Sequence, residues 1–192
     1  MFDVASYSLT VGEFLHGLEE GCRRMPLAPT RPVEGKGLAA LRRVTVDELF
    51  DGARVASREF AQCVRSALFL YYSALDDSHR ISQDIGSPSG SFLHGIMHRQ
   101  EPDYSNAKYW FRRVGSHELF PTLREDALRL PLKSEVLPAA IRSAPKWDPF
   151  WFVDQVERAV AGDDLLAADL IEIQRLEWDL LFDYSYRRAL SG

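Results

Sequence analysis

The chain is short of cysteine, of lysine and of long apolar runs, and each shortage removes a class of protein. Two cysteines, Cys22 and Cys63, stand 41 positions apart with no Cys-x-x-Cys pair. That usage builds neither a disulfide framework nor a thiolate zinc site, so reduced thiols in a cytoplasmic protein are expected. Lysine supplies 4 of the 23 basic side chains and arginine 19. Arginine suits bidentate contacts with carboxylate or phosphate, yet a skew spread along the whole chain reads as a compositional habit. The net charge of −5 leaves no positive excess to displace counterions, which argues against a general nucleic-acid partner. The longest apolar run, Ala67 to Tyr72, falls far short of the ~18 residues that a membrane span needs. Residues Met1 to Thr10 lack a basic segment followed by a long apolar one, so a secretory signal is not expected.

What is present is helical. With 192 residues, 46% hydrophobic and 27% charged, one soluble domain with a sizeable core is the expectation. Strand-like alternation, internal repeats and low-complexity tracts are missing, and the pattern predicts an all-α, single compact multi-helix domain. Thr10-Val11-Gly12-Glu13 and Thr45-Val46-Asp47-Glu48 read as capping boxes. Between them, Pro26, Pro29, Pro32, Gly35 and Gly37 predict an extended arm or loop over about residues 24–44. Ser57 is expected to cap a long helix reaching about Gln83. Its apolar residues Phe60, Val64, Ala67, Phe69, Tyr71 and Tyr72 lie on more than one side, which makes it the expected central helix. Gly86 to Gly90 reads as a turn, with short helices from about Phe92 to Gln100 and from Tyr104 to Val114. The latter has Asp103 as N-cap and Gly115 behind it. Prolines 131, 138 and 145 break the next stretch; Asp148-Pro149 opens another helix, and a final one runs from Asp163 to about Ala189.

Chemistry concentrates between residues 76 and 117. Four of the five histidines fall there, which singles out this segment for the functional search. On a helix, His94 and His98 lie about 40° apart on one face, with Glu101 in the same sector. Two imidazoles one turn apart can offer two metal ligands, and a carboxylate can serve as third ligand or general base. Gly95 is expected to leave space beside them. Glu101 precedes Pro102 and is biased out of the helix. Asp76 and His79, at i and i+3, can project together toward a metal or form the polar end of a helix leaving the core. Glu177 sits about 20° from each of Leu166 and Leu170, between them on the apolar stripe of the last helix. A carboxylate there must be paired, metal-bound or protonated: a structural ion pair with an arginine, or a catalytic group facing the histidines. On the 104–114 helix, Asn106, Tyr109 and Arg113 share one side and can hold an anionic group, or form a solvated face. Arg99 and Arg112 are expected to pair with Glu101, Asp103 or Glu118.

The stretch His94-Gly95-Ile96-Met97-His98-Arg99-Gln100-Glu101-Pro102-Asp103-Tyr104-Ser105-Asn106-Ala107-Lys108-Tyr109-Trp110-Phe111-Arg112-Arg113, preceded by Asp76-Asp77-Ser78-His79-Arg80-Ile81-Ser82-Gln83, resembles a family of uncharacterised bacterial proteins. The likeness covers about residues 70–120, with weaker echoes from Leu176 to Tyr184. It implies no reaction, cofactor or substrate, so function rests on the side chains themselves.

Two functions fit those side chains. One is a metal-dependent enzyme, hydrolase or oxidoreductase. His94, His98, His79 and Asp76 would supply ligands for zinc, iron, manganese or nickel. Glu177, Glu101 and Arg113 would be catalytic, and Asn106, Tyr109 and Arg113 would bind a small polar or anionic substrate. The other is a helical module without catalysis, binding a small ligand or partner, in which the same residues form a buried hydrogen-bond network. Neither involves nucleic acid or membrane, and the oligomeric state stays open.

Overall fold

A computed structural model describes residues 4–18, 25–162 and 164–191 (the side chains of 164 and 165 excepted), so Cys22 and Asp163 lie outside the described residues. Ten α-helices occur among them, and no strand: α1 (Leu9–His16), α2 (Lys36–Leu41), α3 (Arg58–Tyr71), α4 (Leu75–Ser82), α5 (Pro88–Gln100), α6 (Tyr104–Val114), α7 (Phe120–Ala127), α8 (Val136–Ser143), α9 (Pro149–Val160) and α10 (Asp164–Ser191). The all-α class read from the sequence is the class observed.

Local chemistry explains most helix starts. Ser57, Ser87, Asp103 and Asp148 each accept a backbone N–H of the first turn behind them, satisfying donors that a helix end leaves orphaned. One of the two expected capping boxes is replaced. The α1 cap is Ser8, which accepts from Val11 N–H at 3.3 Å, whereas the Thr10 hydroxyl donates to Asp51 at 2.5 Å. The Thr45–Glu48 box does form, with Thr45 N–H on Glu48 at 2.7 Å and Glu48 N–H on Thr45 at 3.3 Å. It opens only a 3-10 turn over Glu48–Phe50.

Three boundaries also need correction. The arm is not wholly extended, because α2 forms within it and buries Leu38 and Leu41; its N-terminal part does wrap the body, burying Met25 and Leu27. The helix expected to reach Gln83 breaks after Tyr71. Ser73 takes a left-handed backbone with φ of 54°, and its neighbour Ala74 bonds back to the Phe69 carbonyl at 2.8 Å. The Ser66 and Ser78 hydroxyls, 2.8 Å apart and buried, then tie α4 back against α3. Finally, α5 starts four residues before Phe92, because Ser87 caps it and Pro88 fits the first turn.

Helix α3 lies in the core as expected, burying Ala61, Cys63, Val64 and every residue from Ser66 to Tyr71, and α5 is buried more completely still. Every residue from Ser89 to Gln100 is buried. Helix α10 lies along α3, where the Trp178 indole N–H donates to the Ala67 carbonyl at 2.8 Å. Its ring stacks on Tyr71 and Phe182 at centroid distances of 5.0 and 4.9 Å. No helix among the described residues is long and apolar enough to cross a membrane.

Candidate metal centre

A helix buried on every side must find partners for its polar residues inside the protein. Helix α5 carries Ser89, Ser91, His94, His98, Arg99 and Gln100, all buried. Those partners define the site.

The kink at Ser73 turns α4 so that His79 meets the histidine face of α5. His79, His94 and His98 each offer a ring nitrogen, and the three atoms lie within 4.8 Å of one another. His94 Nε2 and His98 Nε2 are 3.0 Å apart. Two nitrogens on one tetrahedral zinc, each bound at ~2.0–2.1 Å, stand about 3.3 Å apart, so the spacing suits a shared ion. No carboxylate joins the three histidines in this set.

The outer ring nitrogens are also engaged. His98 Nδ1 donates to the Glu101 carboxylate at 3.0 Å, which leaves Nε2 with a free lone pair. That lone pair can accept either His94 Nε2–H or the Asn106 side-chain N–H, both 3.0 Å away. His94 Nδ1 lies 3.0 Å from the Ser82 hydroxyl, itself 3.5 Å from the His79 carbonyl. With the other tautomer, His94 Nδ1–H donates to Ser82, the Ser82 hydroxyl donates to the His79 carbonyl, and Nε2 is freed for a metal. Oxygen partners of this kind set the tautomer and aim of metal-binding imidazoles.

Electrostatics favour neutral imidazoles. Burial, then the neighbouring His98 and His79, push His94 down to about 3. Burial likewise lowers His98, against the opposing pull of Glu101. Neutral imidazole is the form that binds a metal, so at neutral pH no proton needs displacing from these two rings.

Helix α6 closes one side. The Trp110 ring lies against His94 with centroids 3.9 Å apart, and the Arg113 guanidinium sits over Trp110 at 5.2 Å. Tyr109 meets the edge of Trp110 at 5.6 Å and is 48% exposed. Asn106 touches His98 directly, while Tyr109 and Arg113 meet Trp110, which lies against His94.

Other candidate residues fall elsewhere. Asp76 is exposed and is not in the converging set, because the kink in the chain points His79 inward and leaves Asp76 outside. Asp77 pairs with Arg42 at 2.9 Å. Glu101 sits past the end of α5, 48% exposed at its side chain, as an orienting partner of His98. Glu177 is buried as its apolar stripe requires, but its partner is Arg99, whose guanidinium also donates to Gln174 at 3.3 Å. Burial raises the Glu177 carboxyl, and Arg99 opposes that rise. Arg99 therefore does not pair with Glu101, Asp103 or Glu118 as expected; it lies between Phe152 and Phe111 at 4.5 and 6.0 Å from their rings. Arg112 lies over Phe150. Gly95 leaves no space beside the histidines, because Phe111 fills it.

Ser82 and Trp110 went unread in the sequence. Ser82 follows His79 by one helical turn, a spacing that was available as a signal. Trp110 had none, since its contact depends on how α6 lies on α5. His117, the fourth histidine of the segment, stands apart: its Nε2–H donates to Ser89 at 3.0 Å and its Nδ1 accepts from Leu119 N–H at 3.3 Å. That tautomer cannot take a proton from Ser89, so the pair is not an activated nucleophile.

No family model, curated protein or solved structure matches this chain. The site's own geometry therefore carries the functional reading.

Proposed function

We propose that the protein is a metal-dependent enzyme whose ion is held by His79, His94 and His98. The observation that carries this reading is the convergence of their three ring nitrogens within 4.8 Å. Three histidines with an open fourth position are the donor pattern of a catalytic rather than a structural metal. The all-nitrogen set favours zinc, iron or nickel over manganese, which prefers oxygen ligands. Bound there, the metal would lower the pKa of a water for hydrolysis or use its open positions for oxygen chemistry. Asn106, beside His98, would hold the water or substrate by hydrogen bonds. Tyr109 and Arg113, on the rim, would receive a small polar or anionic substrate. Glu101 and Ser82 would keep the imidazoles aimed at the ion. The reading belongs to a cytoplasmic protein, in keeping with its two isolated cysteines. Metal analysis of the purified chain tests it, with close to one ion per chain expected.

A second reading is favoured by one observation: the run Ser82–His94–His98–Glu101 closes as hydrogen bonds of about 3.0 Å without any ion. In that case the cluster locks α4 and α5 together. His94→Ala would then lower the melting temperature without changing metal content.

A further inference from the structure

A cavity lies away from the histidine centre, between α7 and the segment that leads into α9. It encloses ≈ 690 Å³, within the range of small-molecule sites. Phe120, Pro121, Trp147 and Phe150 give it apolar walls, and Arg124 and Lys146 bring two cations. None of the three converging histidines lines it.

The buried polar atoms left unpaired on the residues of this cavity are all donors. Arg124 is anchored, donating through Nη2 to the Ala144 and Arg142 carbonyls at 2.9 and 3.1 Å. Its Nε–H is buried with no acceptor among the described residues, and so is the indole N–H of Trp147, a residue only 3% exposed. No lining residue carries an orphaned buried acceptor. Native proteins leave few buried donors unpaired, and each unpaired one calls for a partner. The two acids of the lining do not supply it. Asp148 turns Oδ1 to Phe150 N–H and Trp151 N–H at 2.9 and 3.3 Å, and Glu125 faces Arg129 at 3.7 Å. Lys146 makes no ion pair among the described residues. His117 contributes only a wall, both ring nitrogens being taken.

We propose that this cavity is a binding site for a small organic acid with an aromatic or compact apolar body. The carboxylate is received by Arg124, Trp147 and Lys146, and the body lies against Phe120, Pro121 and Phe150. An anion joined to an apolar group answers both the excess of donors and the apolar walls, which a free inorganic anion does not.

The test titrates the full chain, freed of metal by chelation, with benzoate, benzamide and inorganic phosphate by isothermal calorimetry. Benzoate is expected to bind one to one with a Kd below about 1 mM. It should bind at least tenfold more tightly than benzamide, which has the same shape without the charge. Lys146→Gln should weaken benzoate at least threefold at unchanged melting temperature, and Trp147→Phe, which keeps an aromatic side chain but loses the N–H and some core volume, should weaken it at least threefold while the chain still unfolds cooperatively. Lack of benzoate binding up to about 10 mM, equal affinity for benzamide, equal affinity for phosphate, or full affinity in both variants would each overturn the proposal.

Discussion

Arg99 and Glu177 face each other across the core with both side chains at 0% exposure. The pair joins α5 to α10, and the Gln174 amide beside it donates to the Met25 carbonyl at 2.8 Å, bringing the arm into the same network. Because Arg99 adjoins His98, this pair sets the rotation that turns the histidines toward α4. Removing one partner strands the other's charge in the core. Glu177→Ala should therefore cost about 3–5 kcal/mol in denaturant unfolding, whereas the double variant Arg99→Met/Glu177→Leu should recover most of that loss. A single-variant cost below about 1 kcal/mol would mean that the pair is hydrated rather than buried.

Gly95 sits where α6 approaches α5 most closely. A Cβ there would lie 3.0–3.1 Å from three carbons of the Phe111 ring, a ring that is itself buried and has little room to move. Gly95→Ala should destabilise the fold by about 1–3 kcal/mol through overpacking, despite the gain in helix propensity. Urea unfolding measures this directly, and a stabilised variant would contradict the packing described.

His117 contributes to the acid sensitivity of the fold from outside the metal centre. Burial lowers His117 below its ordinary value, with Glu118 opposing. The folded ring is neutral, while the unfolded chain takes up a proton below about pH 6.5. The stability it contributes is therefore complete above that pH and is lost as pH falls. In His117→Gln, the slope of unfolding free energy against pH between about 5 and 6.5 should become shallower by up to about 1.4 kcal/mol per unit. An unchanged slope would show that His117 is charged in the native state.

Much of this architecture is legible in the sequence where the governing chemistry is local. Asp103, Asp148 and Ser57 announce their helices, and helical periodicity alone places His94 beside His98 and buries Glu177. What the sequence hides is set by contacts between distant segments. Ser73 takes positive φ without a glycine to signal it, so the break that brings His79 inward and leaves Asp76 outside cannot be read in advance. Arg99 finds Glu177 from 78 positions away, past nearer acids that a local reading prefers. Polar residues on every side of α5 look like a surface helix, and only their long-range partners allow its burial.

The partners of the outer imidazole nitrogens give a graded test. Ser82→Ala and Glu101→Ala remove oxygens 3.0 Å from His94 and His98 without touching the converging nitrogens. Each should weaken metal affinity about 10–100-fold, read by competition with a chromophoric chelator. Glu101, half exposed, should do so with little loss of stability. Unaltered affinity in both variants would remove these residues from the centre.

The most direct test of the central claim is the metal content of the purified chain, by mass spectrometry, for wild type, His79→Ala, His94→Ala and His98→Ala. The account predicts close to one zinc, iron or nickel ion per wild-type chain, and a drop to near zero in each variant while helical circular dichroism persists. Wild-type protein that stays metal-free after exposure to each of these ions, or variants that keep the full complement, would contradict it.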